Sequence, residues 1–113
     1  RPVIKVAYTK EKIFFDARIA LLLGLIHEFR SVAKACQAMQ ISYTAGWNMI
    51  RQIEAQADCP LVLRNMGGAK GSHSELTKEG RQLLDSFTRF ESELSKDADD
   101  LFIKHLPDFL KQE

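Results

Sequence analysis

Between Ser42 and Arg51 the chain places hydroxyl, amide and guanidinium groups close together: Tyr43, Thr44, Asn48 and Arg51. An Asn side chain can pair bidentately with adenine, and Thr can touch a thymine methyl or make single hydrogen bonds to a base edge. Arg64 flanks a glycine-rich stretch and Lys70 lies within it, so both could reach a phosphate backbone or an adjacent minor groove. Ser31 and Ser42 stand where helices can begin, and a helix N-terminus offers free N–H groups to phosphates. Capping alone would equally account for both serines, and Lys70 and His73 could be solvated loop residues. These groups suit recognition of a polyanion better than covalent chemistry.

Catalytic arrangements are not apparent: no paired acids and no nucleophile–base pair stand out. The run Gly67-Gly68-Ala69-Lys70-Gly71-Ser72 lacks the Gly-Lys-Ser/Thr ending of a phosphate loop. His27, His73 and His105 share no metal-ligand spacing. The chain is therefore read as a non-enzyme with no metal and no cofactor. Cys36 is expected to be a buried, inert thiol. Cys59, before Pro60, could be exposed, but no neighbour in sequence clearly activates it.

The elements that must position these groups follow from hydrophobic period and capping. Val3–Tyr8 and Lys12–Phe15 read as a β-hairpin. Asp16 caps a helix over about 17–29, where Ile19, Leu22, Leu23, Ile26 and Phe29 fall at helical spacing. Ser31 caps a short helix of small residues, among them Ala33, Ala35, Cys36 and Ala38. Ser42 caps a third, with Tyr43, Trp47, Ile50, Ile53 and Ala57 along one stripe and Trp47 expected in the core. Only Gln40-Ile41 joins those two helices, which makes a helix-turn-helix unit. Leu61–Leu63 reads as a strand, Asn65–Ser74 as a flexible loop, and Glu75-Leu76 as a returning strand; together they have the layout of a wing. Thr77 caps a last helix, along which Leu83, Leu84, Phe87, Phe90, Leu94, Ala98, Leu101 and Leu106 recur in steps of mostly three and four. Two courses are open for it. It runs unbroken to about Leu106 and needs a partner helix, or it breaks near Lys96-Asp97 and folds back. The first makes Phe87, Phe90, Leu94 and Leu101 a homodimer seam.

Composition bounds the function classes. The 113 residues, 45% hydrophobic and 27% charged, fit one ordered domain. The longest apolar stretch, Ile19–Ile26, is too short for a membrane span, and no signal-peptide pattern opens the chain. Two cysteines make no disulfide scaffold, so a reducing cytoplasm is expected. The net charge of +1 hides a division. Residues 1–81 hold 12 basic against seven acidic side chains, a surplus of five; residues 82–113 hold four against eight, a deficit of four. A basic body suits a polyanion and an acidic tail suits a solvated arm.

The stretch Ser31-Val-Ala-Lys-Ala-Cys-Gln-Ala-Met-Gln-Ile-Ser-Tyr-Thr-Ala-Gly-Trp47 resembles the N-terminal DNA-binding domain of the molybdate-responsive ModE regulators, winged-helix relatives of the LysR-type regulators. Gly67-Gly68 followed by Leu76-Thr77-Lys78-Glu79-Gly80 is similar to that family's wing and closing helix. Ile41-Ser42-Tyr43 with Trp47 is the most specific part, and the likeness covers roughly residues 2–90. The resemblance implies a dimeric binder of double-stranded DNA that regulates transcription, with the helix at 42–57 as recognition helix. Tyr43, Thr44 and Asn48 are then the base-reading candidates, with Arg51 nearer the backbone. The expected class is mostly α with small β: a winged helix-turn-helix over 1–90 and a helical extension, for dimerisation, over 91–113.

Several departures carry physical consequences. Gln40 stands where the family usually has Gly, which puts a non-glycine residue in a left-handed conformation at about 1 kcal/mol. Thr44 replaces a frequent Lys. Gly46 replaces a frequent Ala, at up to ~1 kcal/mol of helix stability. Ser72, His73 and Ser74 replace glycines or alanine in the wing. The molybdate-binding domains of the full-length regulators have no counterpart in these 113 residues, so no small-molecule effector is expected within this chain. The rival expectation is a protein–protein interaction module on the same scaffold that does not bind DNA. Thr44 and the low net charge favour it.

Overall fold

The computed structural model describes residues 1–10, 13–65 and 73–111. Its first hairpin pairs β1 (Ala7–Thr9) with β2 (Ile13–Asp16), antiparallel, with Ala7 opposite Asp16. Pairing begins at Ala7 rather than Val3, because the partner strand ends at Asp16 by turning into a helix. The Asp16 carboxylate accepts from the N–H groups of Arg18 and Ile19, both at 3.1 Å, and so caps α1 (Ala17–Phe29). Lys12, expected in the second strand, lies outside the described residues.

Ser31 and Ser42 cap α2 (Val32–Met39) and α3 (Tyr43–Ala57), as their sequence positions require. Gln40 ends α2 at φ 59°, the left-handed conformation expected of it, and the Ile41 N–H closes onto Cys36 O at 3.0 Å. Arg30 and Asp58 end α1 and α3 in the same way, each at φ 57°.

The inward face of α3 differs from the expected stripe. Gly46, Ile50 and Ile53 are buried, while Tyr43 and Ala57 are exposed and Trp47 is only half-buried. The reason is the close approach of α2. A Cβ added at Gly46 would strike the Cys36 Sγ, so the helix turns its glycine toward the neighbour. Trp47, about 100° further round, is left at the edge. Gly46 is thus a packing requirement as well as a helix cost. Burial pushes the Cys36 thiol up from its ordinary pKa, against the smaller opposing effect of a hydrogen bond with the Gly46 backbone. It stays protonated and packs as a small apolar group.

After α3, β3 (Val62–Asn65) and β4 (His73–Leu76) pair antiparallel with Arg64 opposite Ser74. The glycine-rich tip between them, with Gly67, Gly68, Lys70, Gly71 and Ser72, lies outside the described residues. Glu54, on α3, fixes where β3 begins: one carboxylate oxygen accepts from Leu61 N–H at 2.7 Å and Val62 N–H at 3.3 Å. Thr77 holds the other end of the wing, its hydroxyl donating to Pro60 O at 2.8 Å and accepting from Gly80 N–H at 3.0 Å. Gly80 passes so close to the Leu61 carbonyl that no Cβ fits.

Helix α4 (Lys78–His105) runs unbroken for 28 residues, about 42 Å, followed by a 3-10 turn at Asp108–Leu110. Of the two open courses, the continuous one is observed. Phe87, expected in a dimer seam, is fully buried in its own chain, with ring centroids 5.0 Å from Phe15 and 5.1 Å from Tyr8. It belongs to the core, where Phe15, Leu22, Leu23, Ile26, Ile50, Ile53 and Leu61 join it. Beyond Phe87 the helix projects from that core. The radius of gyration is 17.7 Å, against the roughly 13 Å of a compact chain this long.

Two outcomes test this packing. Gly46→Ala is expected to cost about 1–3 kcal/mol through overpacking, and Cys36→Ala in the same chain is expected to recover most of it in denaturant unfolding. Glu54→Ala strands two backbone donors and is expected to cost about 1–3 kcal/mol. Glu54→Gln keeps an acceptor and loses clearly less.

Candidate nucleic-acid interface

The α2–turn–α3 unit leaves the N-terminal half of α3 with one face outside the core. Tyr43, Thr44, Asn48 and Arg51 are all exposed there, and Ser42 lies at its head with its hydroxyl accepting from Ala45 N–H at 3.0 Å. Ser31 does the same for Lys34 N–H at 3.0 Å. Both serines are therefore occupied as caps.

The wing brings a cation to this face. Ser74 N–H donates to Arg30 O at 3.0 Å, which ties β4 to the end of α1, and the β3–β4 ladder then sets Arg64 beside α3. The exposed Arg30–Glu75 pair at 3.4 Å adds little to this tie. The Arg64 guanidinium carbon lies 5.8 Å from the Tyr43 ring centroid and 5.7 Å from that of Trp47. Arg51 lies 5.7 Å from the same Trp47 ring. Tyr43 and Trp47 meet edge to face at 6.4 Å. Among the described residues neither Arg51 nor Arg64 has an ion-pair partner, unlike Arg1 and Arg30.

A small cavity of about 40 Å³ opens among Ser31, Tyr43, Arg64, His73 and Ser74. It draws together site residues from the start of α2, the start of α3 and both wing strands. Thr44 and Asn48 stand outside it on the exposed helix face. Lys70 lies outside the described residues. Sequence reasoning missed Trp47 and His73 as members of this surface. The spacing Tyr43, Trp47, Arg51, four residues each, could have signalled the first; the convergence of Arg64 depends on the wing and has no local signal.

Among the described residues no group of three His, Cys, Asp or Glu side chains is placed to hold a metal ion. No helix among them is long and apolar enough to cross a membrane.

The chain is similar to known proteins in both sequence and shape. It is 34% identical over 86 residues to the molybdenum transport protein ModE of Azotobacter vinelandii, across 76% of this chain and 32% of that protein. It is 31% identical over 75 residues to the DNA-binding transcriptional dual regulator ModE of Escherichia coli, across 66% of this chain and 29% of that protein. It thus spans about a third of the length of the curated relatives it matches. Among solved structures, a MepR variant from S. aureus superposes with a TM-score of 0.56 at 18% identity, over 83% of this chain and 67% of the other. A Lactococcus lactis ZitR variant gives 0.56 at 15% identity, over 92% and 71%. These likenesses establish the winged-helix fold. The bacterial regulatory helix-turn-helix proteins of the lysR family match residues 22–81, from the middle of α1 through the wing to the start of α4, and the chain belongs to that family.

Proposed function

We propose that this chain is the DNA-binding unit of a sequence-specific transcriptional regulator that acts as a homodimer, with 1–90 as the binding unit and 91–113 as its dimerisation arm. The observation that carries the reading is the exposed polar face of α3 adjoining two arginines that have no ion-pair partner among the described residues. In a major groove, Tyr43, Thr44 and Asn48 meet base edges while Arg51 and Arg64 meet phosphates. The N-termini capped by Ser31 and Ser42 direct their remaining N–H groups toward the backbone. Lys70, in the sequence between β3 and β4, adds a further cation to this unit.

The dimer reading rests on α4. Phe90 and Leu101, about 20° apart around the helix, are 47% and 55% exposed, and the half-buried Leu94 lies between them. A second copy burying that stripe is the economical arrangement. The protein–protein module remains the second reading, favoured by Thr44 in place of a cation and by the net charge of +1.

Binding to mixed-sequence duplex DNA across a salt series separates the two: a steep negative slope supports DNA binding, and no binding at low salt supports the module. Thr44→Ala and Asn48→Ala are each expected to cost about 1–3 kcal/mol on a preferred site and little elsewhere, whereas Arg64→Ala weakens every sequence and reduces the salt slope by about 1. Equal losses on all sequences for all three variants would remove the base-reading assignment. A chain ending at Phe90 is expected to sediment as a monomer where the full chain is a dimer; a dimer that survives the truncation rules out the α4 arm.

A further inference from the structure

We propose that Trp47, with Tyr43, is a positioning element for phosphate binding: its ring holds Arg51 and Arg64 where their N–H groups can meet the DNA backbone. This rests on the DNA-binding reading above. Three observations converge on it. First, Tyr43, Trp47 and Arg51 succeed one another at four-residue intervals along α3, so they stack along one strip of its surface. Second, Arg64 arrives on that strip from a different element, β3, and its guanidinium lies 5.7 Å from the same indole that Arg51 approaches at 5.7 Å. Third, no carboxylate among the described residues pairs with either cation.

Two guanidiniums drawn to one ring repel each other, and the negative face of the indole offsets that repulsion. A guanidinium stacked on an aromatic face keeps its in-plane N–H edge free, and that edge matches a phosphate bidentately. The ring therefore holds the charge without consuming the donors. Packing alone does not account for an indole at this position. Trp47 is only half-buried, and its N–H is shielded from water with no acceptor among the described residues. A smaller apolar side chain would pack here with no stranded donor.

The test uses the full chain, mixed-sequence duplex DNA and a salt series. Trp47→Phe keeps an aromatic face and is expected to bind within about two-fold of wild type. Trp47→Leu is expected to bind about three- to ten-fold more weakly and to lower the salt slope by about 1, as Arg64→Ala does. The double variant Trp47→Leu with Arg64→Ala is expected to be weaker than Arg64→Ala alone by less than the full Trp47→Leu loss, because only the Arg51 share of the ring's effect remains to be lost. Additive losses, or a weaker Trp47→Leu with an unchanged slope, would show a merely structural role and overturn the proposal. Arg64→Lys keeps the charge but not the planar stack, and it carries the test where Trp47→Leu does not fold; wild-type binding by Arg64→Lys contradicts the proposal. Trp47 is the sole tryptophan, so its emission reports the stack without DNA. Arg64→Ala should change that emission in the free protein, and an unchanged spectrum overturns the stack. If the emission changes but wild type does not bind DNA at low salt, the phosphate role falls with the DNA-binding reading while the stack itself stands.

Discussion

Helix α3 can offer a continuous polar face only because its other side comes within touching distance of α2. That approach depends on one contact, Gly46 against Cys36, where no side chain fits on α3. A left-handed Gln40 and the Ser42 cap make the turn tight enough to permit it. The two positions therefore work together. Gly46 stands where the ModE-like pattern often has alanine, and the Cys36 side chain occupies the space that a Cβ there would need. The buried thiol stays neutral and fills the space as a methyl-sized group would. Taken one at a time, the two positions suggest a weaker helix and an odd thiol.

The wing is anchored by the same economy. Glu54 reaches from α3 to hold the first backbone donors of β3, and Thr77 with Gly80 clamps the start of α4 onto Pro60 and Leu61. These contacts are far from the exposed face of α3, yet they decide where Arg64 stands. The arginine then needs only a surface to lie on, which Tyr43 and Trp47 supply.

Much of this order was legible in the residues. Asp16, Ser31, Ser42 and Thr77 each announced a helix start, because a capping oxygen before an apolar period is a local signal that packing seldom overrides. The left-handed turn at Gln40 was expected from the resemblance, which usually has Gly there, and it is observed at φ 59°. What escaped was decided between elements. Trp47 was assigned to the core by its size, but the requirement that Gly46 face α2 rotated it to the edge. Phe87 lies on the same stripe as Phe90, and nothing in the period separates a residue buried against Phe15 from one that touches Tyr8 and is left 47% exposed. The exposure of Thr44 and Asn48 was legible because it is a helix-face property; the approach of Arg64 to Trp47 spans 17 positions and was not.

The division of charge now has a physical layout. The basic surplus lies in residues 1–81, which include α3 and both wing strands, and the acidic excess lies in residues 82–113, which include most of α4 and the turn beyond it. Like charge would keep that part of the helix off a phosphate backbone. The central claim, that the α3 face reads sequence, is tested most directly by selecting bound sites from a random duplex pool with the full chain. The account predicts enrichment of one motif in two copies, spaced by about one helical turn of DNA or a multiple of it. A pool that stays random after repeated selection would contradict it.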